Sequence, residues 1–228
     1  MSDPIIVRKV RRAEPEVIDG LGMAGVATVH EAGSAALLPA VIRPIQHGAR
    51  IAGSAVTVSC TPGDNLMIHA AVEMIEAGDV LVVAPTTPSD HGMFGELLAV
   101  SVTRRGCRGL VIDSGVRDVA DLRKMGFPAW ARTIHAAGTT KTGLGSVNLE
   151  IDFAGITVGP GDVVVADDDG VAIVERDRAQ EVLTAARDRL EREEETRRRL
   201  ASGELGLDIY GFRKRLQDLG AHWLETPD

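Results

Sequence analysis

The stretch "GELLAVSVTRRGCRGLVIDSGVRDV", residues 95–119, decides the fold class. Its first half has apolar side chains at helical spacing and a glycine near its end, so it predicts a helix over residues 96–106. Its second half contains the apolar run "GLVIDSG", residues 109–115, of the kind that is buried on both faces of a parallel sheet. A similar run, "DVLVVAP", occupies residues 79–85. Strand, helix and strand in this order predict an α/β fold.

The flanking sequence continues the alternation of helix and strand patterns. Upstream, we predict a helix at 15–23, a strand at 49–60 and a helix at 65–78 that Asp64 can cap. Downstream, residues 117–126 predict a short helix, and residues 155–175 hold three strand candidates, the last two joined by an Asp-Gly turn of hairpin type. Together these elements predict a mixed α/β sandwich.

The C-terminal part has a different character. Residues 177–202, which include "EREEETRRR", predict one long charged helix, and residues 203–220 can hold one more short helix. Most faces of this tail are too polar to be buried. We therefore expect an α/β core at 1–176 and a helical extension at 177–228 of the same domain, which packs partly at a subunit interface.

Composition excludes several classes of protein. The chain has 228 residues and a formal net charge of −8, which argues against a general nucleic-acid surface. Only two cysteines occur, Cys60 and Cys107, both in apolar contexts, which indicates a reducing compartment rather than a disulfide scaffold. No apolar run approaches the roughly 18 residues of a membrane helix, and the N-terminus lacks a signal-peptide core. We expect a cytoplasmic protein.

The two ends of the opening stretch bring polar groups together. Residues Gly95, Glu96, Leu97 and Leu98 lie at a predicted helix N-terminus, where free amides attract an anion. Arg117-Asp118 follows a predicted strand at its carboxyl end, where α/β sheets build sites. If the two apolar strands are neighbours, an anion hole, a guanidinium and two carboxylates meet at one edge. This set suits a small carboxylated substrate and a hard divalent cation such as Mg²⁺ or Mn²⁺.

Each of these residues also has a plain structural interpretation. Asp118 is well placed as a helix N-cap, with Asp121 three positions later mimicking a capping box. Arg117 could be an ordinary surface arginine. Glu96 is favourable in the first turn of a helix for its interaction with the helix dipole alone.

Other candidate sites are weaker. His69 and Glu73 have the i, i+4 spacing of a metal pair, but their helix is apolar nearly all round, which favours a core histidine. The acidic run at 167–169 could bind a cation, although hairpin turn chemistry explains it without one. The four lysines lie in polar or loop-like surroundings, which disfavours imine chemistry: Lys9, Lys124, Lys141 and Lys214.

Motifs along nearly the whole chain resemble those of one superfamily. They are the opening stretch and "ATVHEAG", "TVSCTPGDNLMIHAAVEMIEAGDV", "KTGLGSVN", "VGPGDVVVADDDGV" and "LASGELGLDIY". The sequence resembles the ribonuclease-activity-regulator-A-like superfamily and, within it, the class II pyruvate aldolases. The resemblance implies the sandwich fold of that superfamily. The regulators are shorter and lack the long tail that this chain carries, so the tail favours the aldolases.

The resemblance also implies roles for the residues of the opening stretch. Asp118 matches the aspartate that ligates the divalent metal directly, and Arg117 matches the arginine that binds the pyruvyl group and stabilises its enolate. Leu97 and Leu98 match residues whose backbone amides hold the substrate carboxylate. Glu96 stands where the closest aldolases carry aspartate in contact with metal-bound water.

Two further matches lie outside that stretch. Glu193 matches a glutamate that reaches the metal-bound waters from a neighbouring subunit, and Glu191 and Glu195 lie within one helical turn of it. His91 lies where close relatives differ, which makes it a candidate for tuning substrate choice.

The activity that the resemblance implies is metal-dependent cleavage of 4-carboxy-4-hydroxy-2-oxoadipate or 4-hydroxy-4-methyl-2-oxoglutarate. The products are pyruvate and a second 2-oxo acid, with oxaloacetate decarboxylation as a side activity, in a homotrimer or homohexamer. Two alternatives stay open. Decarboxylation of oxaloacetate, or cleavage of another 2-oxo acid, could be the main activity, or the chain could be a non-catalytic binding protein of the regulator type.

Overall fold

The computed structural model describes residues 4–33 and 35–224. The chain forms two compact units, Met1–Ala186 and Arg187–Asp228. The helices of the first unit are α1 (Pro15–Ala24), α2 (Val26–Glu31), α3 (Leu66–Val72), α4 (Glu96–Arg104), α5 (Val119–Lys124) and the start of α6 (Ala179–Ala201), which follows a 3₁₀ turn at Arg176–Arg178. The strands are β1 (Ala36–Leu37), β2 (Arg43–Pro44), β3 (Ile51–Cys60), β4 (Asp79–Pro85), β5 (Gly92–Phe94), β6 (Gly109–Val116), β7 (Ala129–Ile134), β8 (Ser146–Val147), β9 (Ile151–Phe153), β10 (Ile156–Val158), β11 (Val163–Asp167) and β12 (Gly170–Val174).

A mixed sheet forms the centre of the first unit, with the strand order β1-β12-β11-β3-β4-β6-β7-β2. Its middle strands β3, β4, β6 and β7 are parallel, and α3, α4 and α5 lie in the connections between them. The remaining strands of this order pair antiparallel. Residues 79–85 and 109–115 are neighbours, which is the condition on which the predicted site rests, and the predicted mixed α/β fold is confirmed.

The central strands are buried on both faces, as their unbroken apolar sequences predict. On one face, Leu81 and Leu110 pack in a core with side chains of α3, α4 and α5. On the other face, Val82 and Val111 pack in a second core with Trp130. The carboxyl ends of the parallel strands therefore open at one edge of a rigid platform.

Helix α3 is shorter than the sequence predicts, because a non-local contact ends it at Val72 instead of residue 78. The buried carboxylate of Asp79 accepts the Glu76 amide at 2.8 Å and binds both Nε and Nη2 of Arg12 at 2.8 Å. This pair draws the chain out of the helix before β4. Strand β5 is a second difference, since it lies in a segment that we predicted as a loop.

The acidic run at 167–169 forms the predicted hairpin turn, in which Asp167 pairs with Gly170. Asp167 accepts the amides of Val26 at 2.9 Å and Asp169 at 3.0 Å. Asp168 accepts the amide of Gly48 on both oxygens at 3.0 Å. The fold itself occupies these carboxylates, which confirms the structural interpretation of the run.

Both cysteines are buried and free, as the sequence predicts. Burial raises the pKa of the Cys60 thiol to about 12 and that of the Cys107 thiol to about 11. Both side chains are therefore neutral members of the core rather than reactive thiolates.

The second unit contains the rest of α6 and two short helices, α7 (Gly206–Ile209) and α8 (Phe212–Asp218), where the sequence predicts only one. None of its described residues is buried. Its packing against another subunit stays a prediction, as does the domain boundary near residue 176. Within the described ranges, no helix is long and apolar enough to cross a membrane.

Candidate functional site

The two ends of the opening stretch meet at the carboxyl edge of the sheet. Strand β5 pairs parallel with β6, and the Arg117 amide donates to the Phe94 carbonyl at 2.9 Å. Arg117 and Asp118 directly follow β6, while Gly95 directly precedes α4. The helix N-terminus and the Arg-Asp pair therefore lie side by side, as the sequence predicts.

Asp118 has an unusual backbone for a residue with a side chain. Its φ of 55° and ψ of 35° place it in the left-handed region, and its side chain makes no capping hydrogen bond to α5. Instead, Oδ2 accepts the Glu96 amide at 3.2 Å, across the gap to α4. The N-cap interpretation of this side chain is wrong. A backbone of this kind costs about 1–3 kcal/mol and is concentrated at functional sites.

Arg117 lies in a slot formed by three glycines. A Cβ on Gly92 would lie 3.0 Å from the Arg117 Cβ, and one on Gly95 would lie 3.0 Å from its Cγ and collide with Asp118 Oδ2. A Cβ on Gly138 would lie 3.8 Å from Nη1 at the tip of the same side chain. Gly92 and Gly95 thus let one backbone segment approach the inner part of Arg117, and the segment that contains Gly138 lies within van der Waals distance of its tip.

The pair borders a cavity of about 320 Å³, lined by Arg117, Asp118, Val119, Ile134, His135 and Ala136. The Arg117 and Asp118 side chains are 39% and 43% exposed, and Arg117 Nε lies 3.7 Å from Asp118 Oδ2. A guanidinium and a carboxylate are therefore both open to a ligand in the same cavity.

The N-terminus of α4 adds amide donors beside this pair. Leu97 and Leu98 occupy its first turn, where amides have no acceptor within the helix. Leu98 is buried, whereas the Leu97 side chain is 81% exposed. The positive end of the helix dipole and the guanidinium act together, so the site favours an anion.

His91 is not among the residues that line this cavity. A Cβ on Gly63 would lie 3.2 Å from the ring Nδ1, and Ser89 Oγ lies 3.3 Å from the same atom. The His91 carbonyl accepts the Gly115 amide at 3.0 Å, so this residue fixes the loop before β5. Its influence on substrate choice stays a prediction.

Among the described residues, the weaker pair, His69 and Glu73, has no third metal-ligating side chain beside it. His69 is exposed, so the core-histidine interpretation is wrong, while Glu73 binds Arg8 at 2.6 Å. Partial burial lowers the pKa of His69, with a smaller contribution from Lys141. Throughout the described part of the chain, no group of three or more His, Cys, Asp or Glu side chains is placed to hold a metal.

The three candidate glutamates of α6 lie in the second unit. Glu193 pairs with Arg189 at 2.7 Å, and Glu195 pairs with Arg198. The role of Glu193 at a neighbouring site stays a prediction, and so does the choice between it, Glu191 and Glu195.

Sequence reasoning missed the segment that follows β7. His135 and Ala136 line the cavity, and Gly138 faces Arg117. One indirect signal of this segment is Asp64 in the quoted motif "TPGDN". Its carboxylate accepts hydrogen bonds from Thr140 and Thr142 of the segment. Nothing local to residues 135–138 indicates a site.

Comparison with known proteins places the chain in a family. The profile described as RraA-like, Aldolase/RraA, matches residues 15–173, more than half of the chain. The chain belongs to the RraA-like family. The matched part includes Gly95 to Leu98, Arg117 and Asp118, but it ends before α6, so it carries no information on Glu193.

Individual RraA-like relatives carry names of two kinds. A protein of Halalkalibacterium halodurans, provisionally named 4-hydroxy-4-methyl-2-oxoglutarate aldolase, is 28% identical over 76% of this chain and 82% of its own. One of the same provisional name from Pseudomonas putida KT2440 is 36% identical over 53% of this chain and 74% of its own. The crystal structure of Streptomyces coelicolor RraAS2, described as an unusual member of the RNase ES inhibitor RraA family, matches with a TM-score of 0.75 and 28% identity. That match covers 83% of this chain and 99% of RraAS2.

Proposed function

We propose that the protein is a divalent-metal-dependent class II pyruvate aldolase. It cleaves 4-carboxy-4-hydroxy-2-oxoadipate or 4-hydroxy-4-methyl-2-oxoglutarate to pyruvate and a second 2-oxo acid, and it decarboxylates oxaloacetate as a side activity. The observation that carries the proposal is the left-handed backbone of Asp118. It turns the carboxylate toward α4, so that Asp118 Oδ2 accepts the Glu96 amide of the first helix turn while Arg117 and Asp118 border one cavity. The provisional names of two RraA-like relatives support the same chemistry.

The chain's own groups can bind the 2-oxo acid end of the substrate. The amides of Leu97 and Leu98, at the positive end of α4, receive the substrate carboxylate. Arg117 donates to the 2-oxo oxygen, on which negative charge grows as pyruvate enolate forms. Because this charge is larger in the transition state than in the substrate, Arg117 accelerates the reaction rather than merely tightening binding.

The acids of the site fit a hard divalent cation that keeps most of its waters. Asp118 presents an exposed carboxylate, of which only Oδ2 has a hydrogen-bond partner in the described chain, and Glu96 begins the adjoining helix turn. Asp118 would be the direct ligand, while Glu96 and Glu193 of the partner subunit would bind metal-held water. When bound, Mg²⁺ or Mn²⁺ supplies Lewis acidity at the carboxylate and 2-oxo oxygens of the substrate.

Cleavage then needs a base and an electron sink. A water positioned by Glu96 and by Glu193 of the partner subunit takes the proton of the C4 hydroxyl. The C3–C4 bond breaks, its electron pair moves into the pyruvate enolate, and C4 becomes the carbonyl of the second product. Arg117 holds the enolate oxygen until the water returns the proton to C3.

The role of Glu193 requires an oligomer, and we propose a homotrimer or homohexamer that acts in the cytoplasm. Light scattering together with activity tests this part. A monomer with full turnover would contradict the contribution of Glu193.

The proposal is tested by pyruvate release from 4-carboxy-4-hydroxy-2-oxoadipate, coupled to lactate dehydrogenase, with Mg²⁺ or Mn²⁺ and then with EDTA. We expect turnover that needs the metal and stops with the chelator. Oxaloacetate as a second substrate separates a main aldolase from a main decarboxylase. No turnover on either substrate by folded, metal-loaded protein would contradict the proposal.

A second candidate function is a non-catalytic binding protein, which the likeness to Streptomyces coelicolor RraAS2 supports. This function predicts a protein partner and no metal-dependent turnover. The same assay therefore separates the two functions.

A further inference from the structure

Two consecutive buried side chains, Asp64 and Asn65, lie just before α3 and outside the cavity. They are 1% and 4% exposed, so neither can be a surface residue that binds solvent. The fold provides partners for both carboxylate oxygens of Asp64 and for Nδ2 of Asn65, whereas Asn65 Oδ1 is buried with no hydrogen-bond partner among the described residues. Each reaches a different backbone segment, and both segments belong to the slot around Arg117.

Asp64 holds the segment that follows β7. Its Oδ2 accepts the Thr140 hydroxyl at 2.7 Å and the amides of Thr142 and Gly143 at 2.6 and 2.9 Å. Its Oδ1 accepts the Leu66 amide at 2.9 Å, although the N-cap position of α3 is Asn65 and not Asp64 as the sequence predicts. Burial raises the pKa of Asp64, but these hydrogen bonds outweigh it and hold the pKa far below its usual value.

Backbone bonds complete this attachment. The Thr140 amide donates to the Gly63 carbonyl at 2.9 Å, and the Asn65 amide donates to the Thr140 carbonyl at 3.1 Å. Two residues before Thr140 stands Gly138, which faces the Arg117 guanidinium. The position of this wall of the slot is thus set from α3.

Asn65 holds the opposite wall. Its Nδ2 donates to the Met93 carbonyl at 3.1 Å. Met93 lies in β5 between Gly92 and Phe94, and Gly92 and Gly95 are the two glycines against the inner part of the Arg117 side chain. The same turn of chain therefore touches both sides of the slot.

We propose that Asp64 and Asn65 are positioning residues that clamp the two walls of the Arg117 slot and so fix where the guanidinium points. Their expected effect on turnover rests on the proposed function, whereas their effect on the position of the slot walls does not. Misplacement of a catalytic group by about 1 Å can lower a rate by about 10²-fold, so a distant clamp has a measurable effect.

The first variants change one atom each. Asp64→Asn replaces an acceptor oxygen by an NH₂ group that faces amide or hydroxyl donors. Asn65→Asp places a negatively charged oxygen, which cannot donate, against the Met93 carbonyl. We expect kcat to fall about 10- to 100-fold in each variant. The control is Asp162→Asn, because Asp162 also accepts two backbone amides, those of Gly159 and Arg176, and has no contact with the slot. We expect it to keep wild-type turnover.

Two measurements separate positioning from general stability. Hydrogen exchange at the Thr142 and Gly143 amides should accelerate at least about 10-fold in Asp64→Asn, while the β4 amides stay protected. Placed in an Arg117→Ala background, Asp64→Asn should lower kcat by less than about twofold, because the group on which it acts is gone. A full, additive loss in that background would overturn the clamp.

Binding of oxalate, a two-carbon dianion, provides a readout besides turnover, measured by calorimetry with Mg²⁺. Suppose that the wild type has no turnover, but that Asp64→Asn releases the segment after β7 and binds oxalate about tenfold more weakly than the wild type. This result contradicts the proposed function and supports the clamp. If the wild type is active and Asp64→Asn keeps both kcat and oxalate affinity, the clamp alone is overturned.

If Asp64→Asn does not fold, Thr140→Val should lower kcat several-fold and Thr140→Ser should restore it. Equal kcat in both variants would overturn the clamp.

Discussion

Two acidic segments of the first unit, the β11–β12 hairpin turn and the residues that follow β6, differ in what their carboxylates do. In the β11–β12 hairpin, Asp167 and Asp168 accept backbone amides at 2.9–3.0 Å. After β6, Asp118 accepts one amide at 3.2 Å, keeps 43% of its side chain exposed, and holds a left-handed backbone. The hairpin acids complete the fold, whereas Asp118 is held against its backbone preference with its charge toward a cavity. Because Asp168 is exposed as well, it is the left-handed backbone and the position beside a cavity that distinguish Asp118.

The largest expected effect is on turnover. Asp118→Asn should lower kcat by about 10²–10³, comparable to the loss of one group that stabilises transition-state charge. The matched change in the hairpin, Asp168→Asn, should leave kcat within about twofold of wild type. Pyruvate release under saturating Mn²⁺ measures both. Equal kcat in the two variants would remove the functional difference between the segments.

A smaller effect is on stability, with opposite signs at the two segments. Asp118→Gly relieves the left-handed backbone and should raise the free energy of unfolding by about 1 kcal/mol while turnover is lost. Asp168→Gly removes the acceptor of the Gly48 amide and should lower it by a similar amount. Urea denaturation followed by circular dichroism measures both changes. Asp118→Ala is the control, because it also removes the acceptor of the Glu96 amide but keeps a Cβ. An Asp118→Gly protein that is no more stable than Asp118→Ala would show that the backbone at this position stores no strain.

The smallest effect is on the pH dependence of stability and concerns Asp64, whose carboxylate is satisfied like those of the hairpin. Its pKa is lowered in the folded protein, so its contribution is present above the unfolded pKa of about 3.9 and is lost as the pH falls. Between about pH 5 and about pH 3.5 the wild type should lose about 0.7 kcal/mol through this group. Asp64→Asn should show a shallower slope over that interval, measured by urea denaturation. Equal slopes would contradict the lowered pKa.

The sequence predicted those parts of the fold that depend on local pattern. The unbroken apolar runs of β4 and β6 can be buried only between two layers, and that requirement placed them side by side. The early end of α3 could not be predicted, because it depends on Arg12 reaching Asp79 across 67 positions of sequence. Strand β5 is three residues long and forms only because β6 lies beside it.

The sequence predicted that the two ends of the opening stretch lie side by side, but not the geometry in which they do so. An aspartate that caps the following helix and one whose side chain points away from that helix can have the same sequence, Arg117-Asp118 before a helix. The sequence does not determine the backbone φ that separates the two cases. A side chain at Gly92 would collide with the His135 carbonyl and one at Gly95 with Asp118 Oδ2, and both contacts join segments that are distant in sequence. Sequence patterns identified the groups that meet at the sheet edge, whereas the slot that aims them depends on contacts between distant segments.

The most direct test of the central claim is the turnover of Arg117→Ala on 4-carboxy-4-hydroxy-2-oxoadipate, compared with wild type and with Arg104→Ala at the other end of α4. The claim is that the guanidinium beside Asp118 stabilises the enolate. It predicts a folded Arg117→Ala protein whose kcat is lower by about 10²–10³, and an Arg104→Ala protein that turns over like wild type. A folded Arg117→Ala enzyme with near-full turnover would contradict the claim.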